Sequence, residues 1–167
     1  TAGSGTTTLN GAVSTTAAAG VNLKANAIAV NNTIGTTGNG VVTLNADTAA
    51  LTIVAAGDIT SDGAVSLTGA TGISTAGDVT TTADNVTYNS ATTLTGPVAI
   101  TTAAGLGNIT FSGTLNGGST LGLTAGFEDY RTLQNSRQAS AGAQFNDPTR
   151  NWSDSGFDRV YTVNASA

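Results

Sequence analysis

Branched and aromatic residues recur along this chain about every 21 residues, each inside a short run where apolar and polar positions alternate. The clearest series, the first column, has spacings of 21, 23, 21 and 23 residues. Its members are Leu23, Leu44, Leu67, Tyr88 and Phe111. Such alternation over three to five residues is typical of a β-strand with one buried face, so each member predicts a short strand.

Two further apolar columns have nearly the same period. The second column, spaced 20, 21 and 21 residues, consists of Ile53, Ile73, Leu94 and Leu115. The third column, spaced 20 and 21 residues, consists of Ile59, Val79 and Ile100. Three strands per period predict one coil of a β-solenoid, with successive coils about 4.8 Å apart. Residues 1–126 are therefore predicted to form an all-β parallel β-helix of about five to six coils.

The residues between the predicted strands favour coils over β-hairpins. They are mostly Gly, Asn, Asp and Ser, and the Asn-Gly pair typical of tight hairpins, as at Asn39-Gly40, does not recur at each reversal. A single coil cannot bury enough apolar surface to offset the entropy lost when its residues become ordered. The coils are therefore expected to stabilise one another by stacking.

A polar ladder is predicted on the outer face of the first strand of each repeat. Its members are Thr43, Asn45, Ser66, Thr68, Thr87, Asn89, Thr110 and Ser112. Hydroxyl and amide groups in such columns can hydrogen-bond along the axis of the solenoid. The ladder is interpreted mainly as a solvated face. A carbohydrate- or ice-binding face is the alternative, although the ladder lacks a uniform Thr-x-Thr column.

The composition changes at residue 127, where a C-terminal extension, residues 127–167, is predicted to begin. It contains six of the eight aromatic residues and four of the five basic residues of the chain. A short helix is predicted over residues 128–138 and a strand over residues 159–163. The extension is expected to cap the solenoid or to contact the next subunit. The residues predicted for that role are Phe127, Tyr130, Phe145, Trp152, Phe157, Tyr161 and Val163.

Charge and missing residue types narrow the possible functions. The net charge is −5 and only 9% of residues are charged, so binding to nucleic acid is not expected. No run of 18 apolar residues predicts a membrane span. The chain has no cysteine and no histidine, and it is rich in Thr, Ser, Asn and Gly. This composition favours an extracellular or cell-surface protein, secreted with any signal peptide removed or cut from a longer chain.

Two carboxylates, Asp58 and Asp78, are the candidates for catalysis or metal binding. Asp58 and Asp78 occur in similar Gly-Asp segments and are expected to stack on adjacent coils, with Pro97 at the same position one coil later. No basic residue recurs beside them, and the glycine-rich calcium repeat is absent. Neither an enzyme nor a cofactor is therefore predicted, and the carboxylates are interpreted as solvated charges at strand entrances.

Two repeat segments, Ala56–Thr60 and Gly107–Gly113, resemble the degenerate repeats of filamentous-haemagglutinin-type and autotransporter-type bacterial adhesins. The resemblance covers residues 7–126 and implies a right-handed parallel β-helix on a bacterial surface or in a secreted fibre. We therefore predict a structural subunit of an extracellular filament, or a shaft segment of an adhesin, that assembles head to tail with copies of itself. Host-cell or surface glycans are a further predicted partner. A carbohydrate- or ice-binding module is the alternative function.

Overall fold

A computed structural model of the chain describes residues 5–103, 107–125 and 161–164, which contain eighteen β-strands. Sheet A contains β1 (Thr6–Leu9), β4 (Ala27–Val30), β7 (Leu51–Ile53), β10 (Ile73–Thr75), β13 (Thr92–Leu94) and β16 (Leu115–Asn116). Sheet B contains β2 (Val13–Thr15), β5 (Ile34–Thr36), β8 (Ile59–Ser61), β11 (Val79–Thr81), β14 (Val98–Thr101), β17 (Thr120–Thr124) and β18 (Tyr161–Asn164). Sheet C contains β3 (Val21–Ala25), β6 (Val42–Ala46), β9 (Val65–Gly69), β12 (Val86–Tyr88) and β15 (Ile109–Phe111).

The three sheets form the sides of a parallel β-solenoid. Each coil takes one strand from sheets A, B and C in turn, and the same strand one coil later is its parallel neighbour. Strands β1 to β15 make five coils, and β16 and β17 begin a sixth. The predicted all-β fold and its number of coils are confirmed. The described residues include no helix that could cross a membrane.

The first and third predicted columns are confirmed by the strand register. Leu23, Leu44, Leu67, Tyr88 and Phe111 lie opposite one another in successive strands of sheet C. The third column runs through sheet B in the predicted order, and Val13, Ile34 and Leu123 extend it at its two ends. These side chains pack in the interior because β-branched and large apolar residues fit the inner face of a pleated sheet.

The second predicted column is wrong in its register. Ile53 lies opposite Thr75, which lies opposite Leu94, so these three form one inward column of sheet A. A separate inward column contains Leu51, Ile73, Thr92 and Leu115. The prediction joined alternate members of two columns because it followed apolar residues alone, whereas the threonines Thr75 and Thr92 are also buried. All the predicted residues still point inward, because a shift of two residues preserves the face of a strand.

A column of buried hydroxyl groups follows the apolar column of sheet B two residues later. Its buried members are Thr36, Ser61, Thr81 and Thr102. Each hydroxyl donates a hydrogen bond to a carbonyl of the corner that leads from sheet B to sheet C. The acceptors are Gly40 for Thr36 and Ser61, Asp84 for Thr81 and Gly107 for Thr102. These bonds satisfy polar groups that would otherwise lie unpaired in the core.

The same corner depends on backbone conformations that favour glycine. Gly20 has φ +64°, and a Cβ atom at this position would lie 1.9 Å from the carbonyl oxygen of Val41 in the next coil. One coil later, Asn39 has φ 62° and lies in the corner between parallel strands β5 and β6. Asn39-Gly40, the one hairpin-type pair noted in the sequence, is therefore part of a corner and not of a hairpin.

The structure has a C-terminal strand, β18, where the sequence predicts one. It pairs antiparallel with β17, and Leu123 lies opposite Tyr161. The predicted helix over residues 128–138 lies outside the described residues, as do Arg159 and Val160 of the predicted strand.

Candidate interaction surfaces

The predicted polar ladder lies on the outer face of sheet C. Its residues alternate with the buried residues of the first column, and they are half-buried or exposed. One column contains Thr43, Ser66, Thr87 and Thr110. The other polar column of the ladder begins with Asn45 opposite Thr68. It continues with Asn89 and Ser112, which immediately follow β12 and β15. The geometry of a ladder is therefore present, while its binding role stays a prediction.

Several ladder side chains are occupied by bonds between coils. The side-chain amide of Asn89 donates hydrogen bonds to Ser66 Oγ (2.9 Å), Thr68 Oγ1 (3.2 Å) and the carbonyl of Leu67 (3.2 Å). Near the first coil, Lys24 Nζ lies 3.4 Å from Asp47 Oδ2. Polar groups on this face thus contribute to coil-to-coil cohesion, which is the structural interpretation of the ladder.

Asp58 and Asp78 hold successive coils together at the start of the sheet B strands. Asp58 Oδ1 accepts a hydrogen bond from the backbone N–H of Asp78 (2.9 Å), and Asp78 Oδ1 accepts one from Ala99 (2.7 Å). Their stacking is as predicted. The alignment of Pro97 with them is wrong, because Val79 pairs with Ile100 and the register therefore brings Ala99 beside Asp78. Pro97 directly precedes β14, where a missing N–H is tolerated.

Asp62 bridges three coils at the next corner. Its Oδ2 accepts the backbone N–H of Asn39 (2.9 Å), and its Oδ1 accepts the Thr82 hydroxyl (3.0 Å). The Asn39 hydrogen bond, followed by that of Thr82, lowers the pKa of the Asp62 carboxyl, because both bonds stabilise its charged form. Within the described parts of the chain, no three Asp, Glu, His or Cys side chains come together in a group that could hold a metal ion.

Tyr88 carries a buried hydroxyl group in the middle of the first column. The residue is fully buried, and its ring stacks on Phe111 with centroids 4.7 Å apart. The hydroxyl oxygen has no hydrogen-bond partner. Burial, and to a smaller extent the Asp78 carboxylate, raises the pKa of the Tyr88 hydroxyl above its ordinary value. The group therefore remains protonated and neutral.

A uniform threonine column, which sequence reasoning missed, lies on the outer face of sheet B. Thr60, Thr80, Thr101 and Thr124 lie opposite one another in four successive strands. Toward the first coil the column continues through Gly35, where a Cβ atom would meet open space beside a shallow recess. The signal in the sequence is the repeated triplet of an aliphatic residue, Thr and then Ser or Thr. Since the aliphatic residue faces inward, strand alternation places the middle threonine outward.

The two ends of the solenoid expose parts of inward-facing apolar side chains. Such residues are buried in the middle coils, but most of those on the first or last solenoid strand of each sheet are only partly buried, Ala25 of β3 and Leu121 of β17 being buried exceptions. The partly buried residues include Leu9, Val21, Leu23, Phe111, Leu115 and Leu123. Their exposure follows from position, because each lacks a further coil of described residues above or below it.

Two of the predicted cap or contact residues lie on β18. Tyr161 is opposite Leu123 and Val163 is opposite Leu121 at the last solenoid strand of sheet B. The remaining five, Phe127, Tyr130, Phe145, Trp152 and Phe157, lie outside the described residues.

Comparison with protein-family models, curated proteins and solved structures finds no match to this chain. The β-solenoid that the adhesin resemblance implies is present, and the adhesin family itself stays a prediction.

Proposed function

We propose that this chain is a structural protein that extends along its own axis, either as a filament subunit or as a shaft segment of a surface adhesin. The observation that carries the proposal is the set of partly buried apolar side chains at both ends of the solenoid. Another coil placed on either end would bury them as the middle coils bury their equivalents. That coil would come from a second copy or from an adjoining segment of a longer chain.

Strand direction supports a head-to-tail joint. All strands within the solenoid run parallel, so its two ends present different edges of each sheet. Contact between unlike ends repeats without closing and generates a linear assembly. Each subunit would add about 29 Å, from about six coils at about 4.8 Å per coil.

Charge does not oppose such a joint. Strands β1 and β2 at one end, and β15, β16 and β17 at the other, contain no charged residue. Lys24 on β3 is already paired with Asp47. Edges without charges or proline favour pairing with further strands.

The proposal includes an extracellular or cell-surface location, a second copy of the chain as the main partner, and no catalytic activity. Low charge and the absence of cysteine support the location. The non-catalytic role is supported by Asp58, Asp62 and Asp78, whose carboxylates accept hydrogen bonds within the fold. Surface glycans are proposed as partners of the assembled shaft.

Electron microscopy and sedimentation velocity across a range of concentrations would test the proposal. Filaments with an axial repeat of about 29 Å are expected. Leu9→Asp places a charge at one end of the solenoid and should abolish assembly. The control, Val54→Asp, places the same charge on the side of the tube, where Val54 is 37% exposed, and should leave assembly intact. Single particles at every concentration would refute the filament subunit, as would equal effects of the two variants.

The threonine column of sheet B favours a second candidate, a carbohydrate- or ice-binding module. Its hydroxyl and methyl groups recur about every 4.8 Å over four coils, which could order water or sugar hydroxyls. This function predicts a monomer that binds glycans or slows ice growth. Replacing Thr80 and Thr101 by tyrosine should abolish binding, whereas Thr87→Tyr on sheet C should not.

A further inference from the structure

The pairing of β18 with β17 differs from every other strand pairing among the described residues. It is antiparallel, whereas all the others are parallel. Its two strands are separated by residues 125–160, a connection of 36 residues, whereas successive solenoid strands are separated by seven residues or fewer. The four-residue strand β18 is therefore not part of a coil, although it pairs with the last solenoid strand of sheet B.

Strand β17 has an outer edge that needs a partner. Its sequence, Thr-Leu-Gly-Leu-Thr, contains no charge and no proline, and its other edge is paired with β14 over four residues in regular register. Natural proteins protect such edges or cover them, because an unprotected edge recruits strands from other molecules. Strand β18 covers this edge. Thr120 lies opposite Asn164 at one end of the pairing, and Leu123 lies opposite Tyr161 at the other.

The same edge belongs to the end through which we propose that the solenoid extends. An edge can pair with only one strand at a time, so β17 cannot hold β18 and also receive a coil of the next subunit. Sheets A and C end in β16 and β15 without this conflict among the described residues. If the proposed assembly forms, β18 must either block the sheet B part of the joint or take part in it.

We propose that β17 is a strand-exchange site, a step that rests on the proposed assembly. Strand β18 pairs with β17 of its own chain in a single molecule and with β17 of a second copy in the assembly. In the assembly, the exchanged β18 forms the sheet B part of the joint, and β16 and β15 are the edges that receive strands of the next subunit. The backbone hydrogen bonds are the same in both states, so exchange loses none of them. A connection of 36 residues can extend to about 120 Å, which is well beyond the axial rise of about 29 Å per subunit.

Cysteine cross-linking tests the exchange, since the chain has no cysteine of its own. Gly122 and Thr162 lie opposite each other, and a Cβ atom at Gly122 meets no other atom within 4 Å. Two single variants, Gly122→Cys and Thr162→Cys, carry different tags and are mixed, assembled and oxidised. Exchange predicts a disulfide-linked species with both tags and about twice the 16.3 kDa chain mass on a non-reducing gel. The control pair, Gly118→Cys with Thr162→Cys, is four residues out of register and should give none.

A double variant, Gly122→Cys with Thr162→Cys, provides the second readout. Oxidised in dilute solution, it locks β18 onto its own β17, and we expect loss of assembly until the disulfide is reduced. Assembly of the locked chain, or assemblies without cross-linking between the two tags, would overturn the exchange while leaving the proposed function standing. If the unmodified chain never assembles, the proposed function fails, and the exchange fails with it.

Discussion

Replacing Tyr88 by phenylalanine removes a single oxygen atom from the centre of the solenoid. The tyrosine is fully buried, its hydroxyl has no hydrogen-bond partner, and its ring stacks on Phe111. An unpaired buried hydroxyl costs about 1–3 kcal/mol because it has lost its bonds to water. Phenylalanine keeps the ring and the stacking, so Tyr88→Phe should raise the free energy of unfolding by about 1–2 kcal/mol.

Urea denaturation followed by circular dichroism measures this difference, and thermal unfolding should show an increase of about 2–4 °C per kcal/mol for a chain of this size. Tyr88→Leu is the matched control, because Leu67 occupies the same position one coil earlier. It removes the hydroxyl and also the ring, whose stacking contributes about 0.5–1.5 kcal/mol, and should be less stable than Tyr88→Phe. A loss of about 1 kcal/mol in Tyr88→Phe would refute the reasoning, because it would mean that the hydroxyl has a partner.

The pH dependence gives an independent check. Burial raises the pKa of Tyr88 in the folded chain above its ordinary value of 10.0. The folded state therefore holds this proton more tightly than the unfolded state, and the resulting stability is complete below pH 10 and is lost as the pH rises further. The stability advantage of Tyr88→Phe should consequently grow above about pH 10, where only the wild type loses this contribution.

Three further predictions concern the corner between sheets B and C. Thr81→Val leaves the Asp84 carbonyl without its hydroxyl donor and should lower the free energy of unfolding by about 1–3 kcal/mol in urea. Gly20→Ala combines a φ of +64° with a clash against Val41, and should lower the melting temperature by more than an ordinary Gly-to-Ala change. The lowered pKa of the Asp62 carboxyl stabilises the folded chain at pH values above 3.8, the ordinary pKa of this group, and the contribution is lost as the pH falls through the folded-state pKa. The stability advantage of wild type over Asp62→Asn should therefore shrink in acid.

Matched controls lie nearby for these variants. Thr80→Val changes an exposed threonine on the same strand as Thr81 and should shift stability by less than about 0.5 kcal/mol. Gly35→Ala adds a methyl group where no atom lies within 4 Å and should be tolerated. Equal losses from Thr80→Val and Thr81→Val would contradict a specific role for the buried hydroxyl. An unchanged pH dependence in Asp62→Asn would argue against the pKa assignment.

The sequence predicts the solenoid well where the inward residues are unambiguous. Leu44, Leu67 and Tyr88 are large and apolar, and only one facing buries them, so the period alone gives the register of sheet C. In sheet A the same argument fails. Thr75 and Thr92 point inward, and threonine combines a β-branched shape that suits the core with a hydroxyl that suits the surface.

The same ambiguity hid the two threonine-rich features of sheet B. Thr80 and Thr81 are adjacent in sequence, yet one belongs to the exposed column and the other to the buried hydroxyl column. Their facing follows from the alternation of the strand after the inward Val79, and the Asp84 carbonyl supplies the partner of the inward hydroxyl. The apolar period does not contain the identity of that partner, because the position of the carbonyl comes from the fold of the backbone and not from the type of side chain.

The buried hydroxyl column also bears on how such a chain can diversify. The corners that follow Thr36, Ser61 and Thr81 contain five, three and four residues before the next strand begins. The Gly40 carbonyl accepts hydrogen bonds from Thr36 and, from the next coil, Ser61, and the Asp84 carbonyl accepts one from Thr81. The length of the corner therefore varies between coils while these bonds are kept. Foreign peptides grafted into this ridge of corners should therefore be displayed in a row along the tube without disturbing its interior, making the molecule a natural scaffold for evenly spaced epitopes.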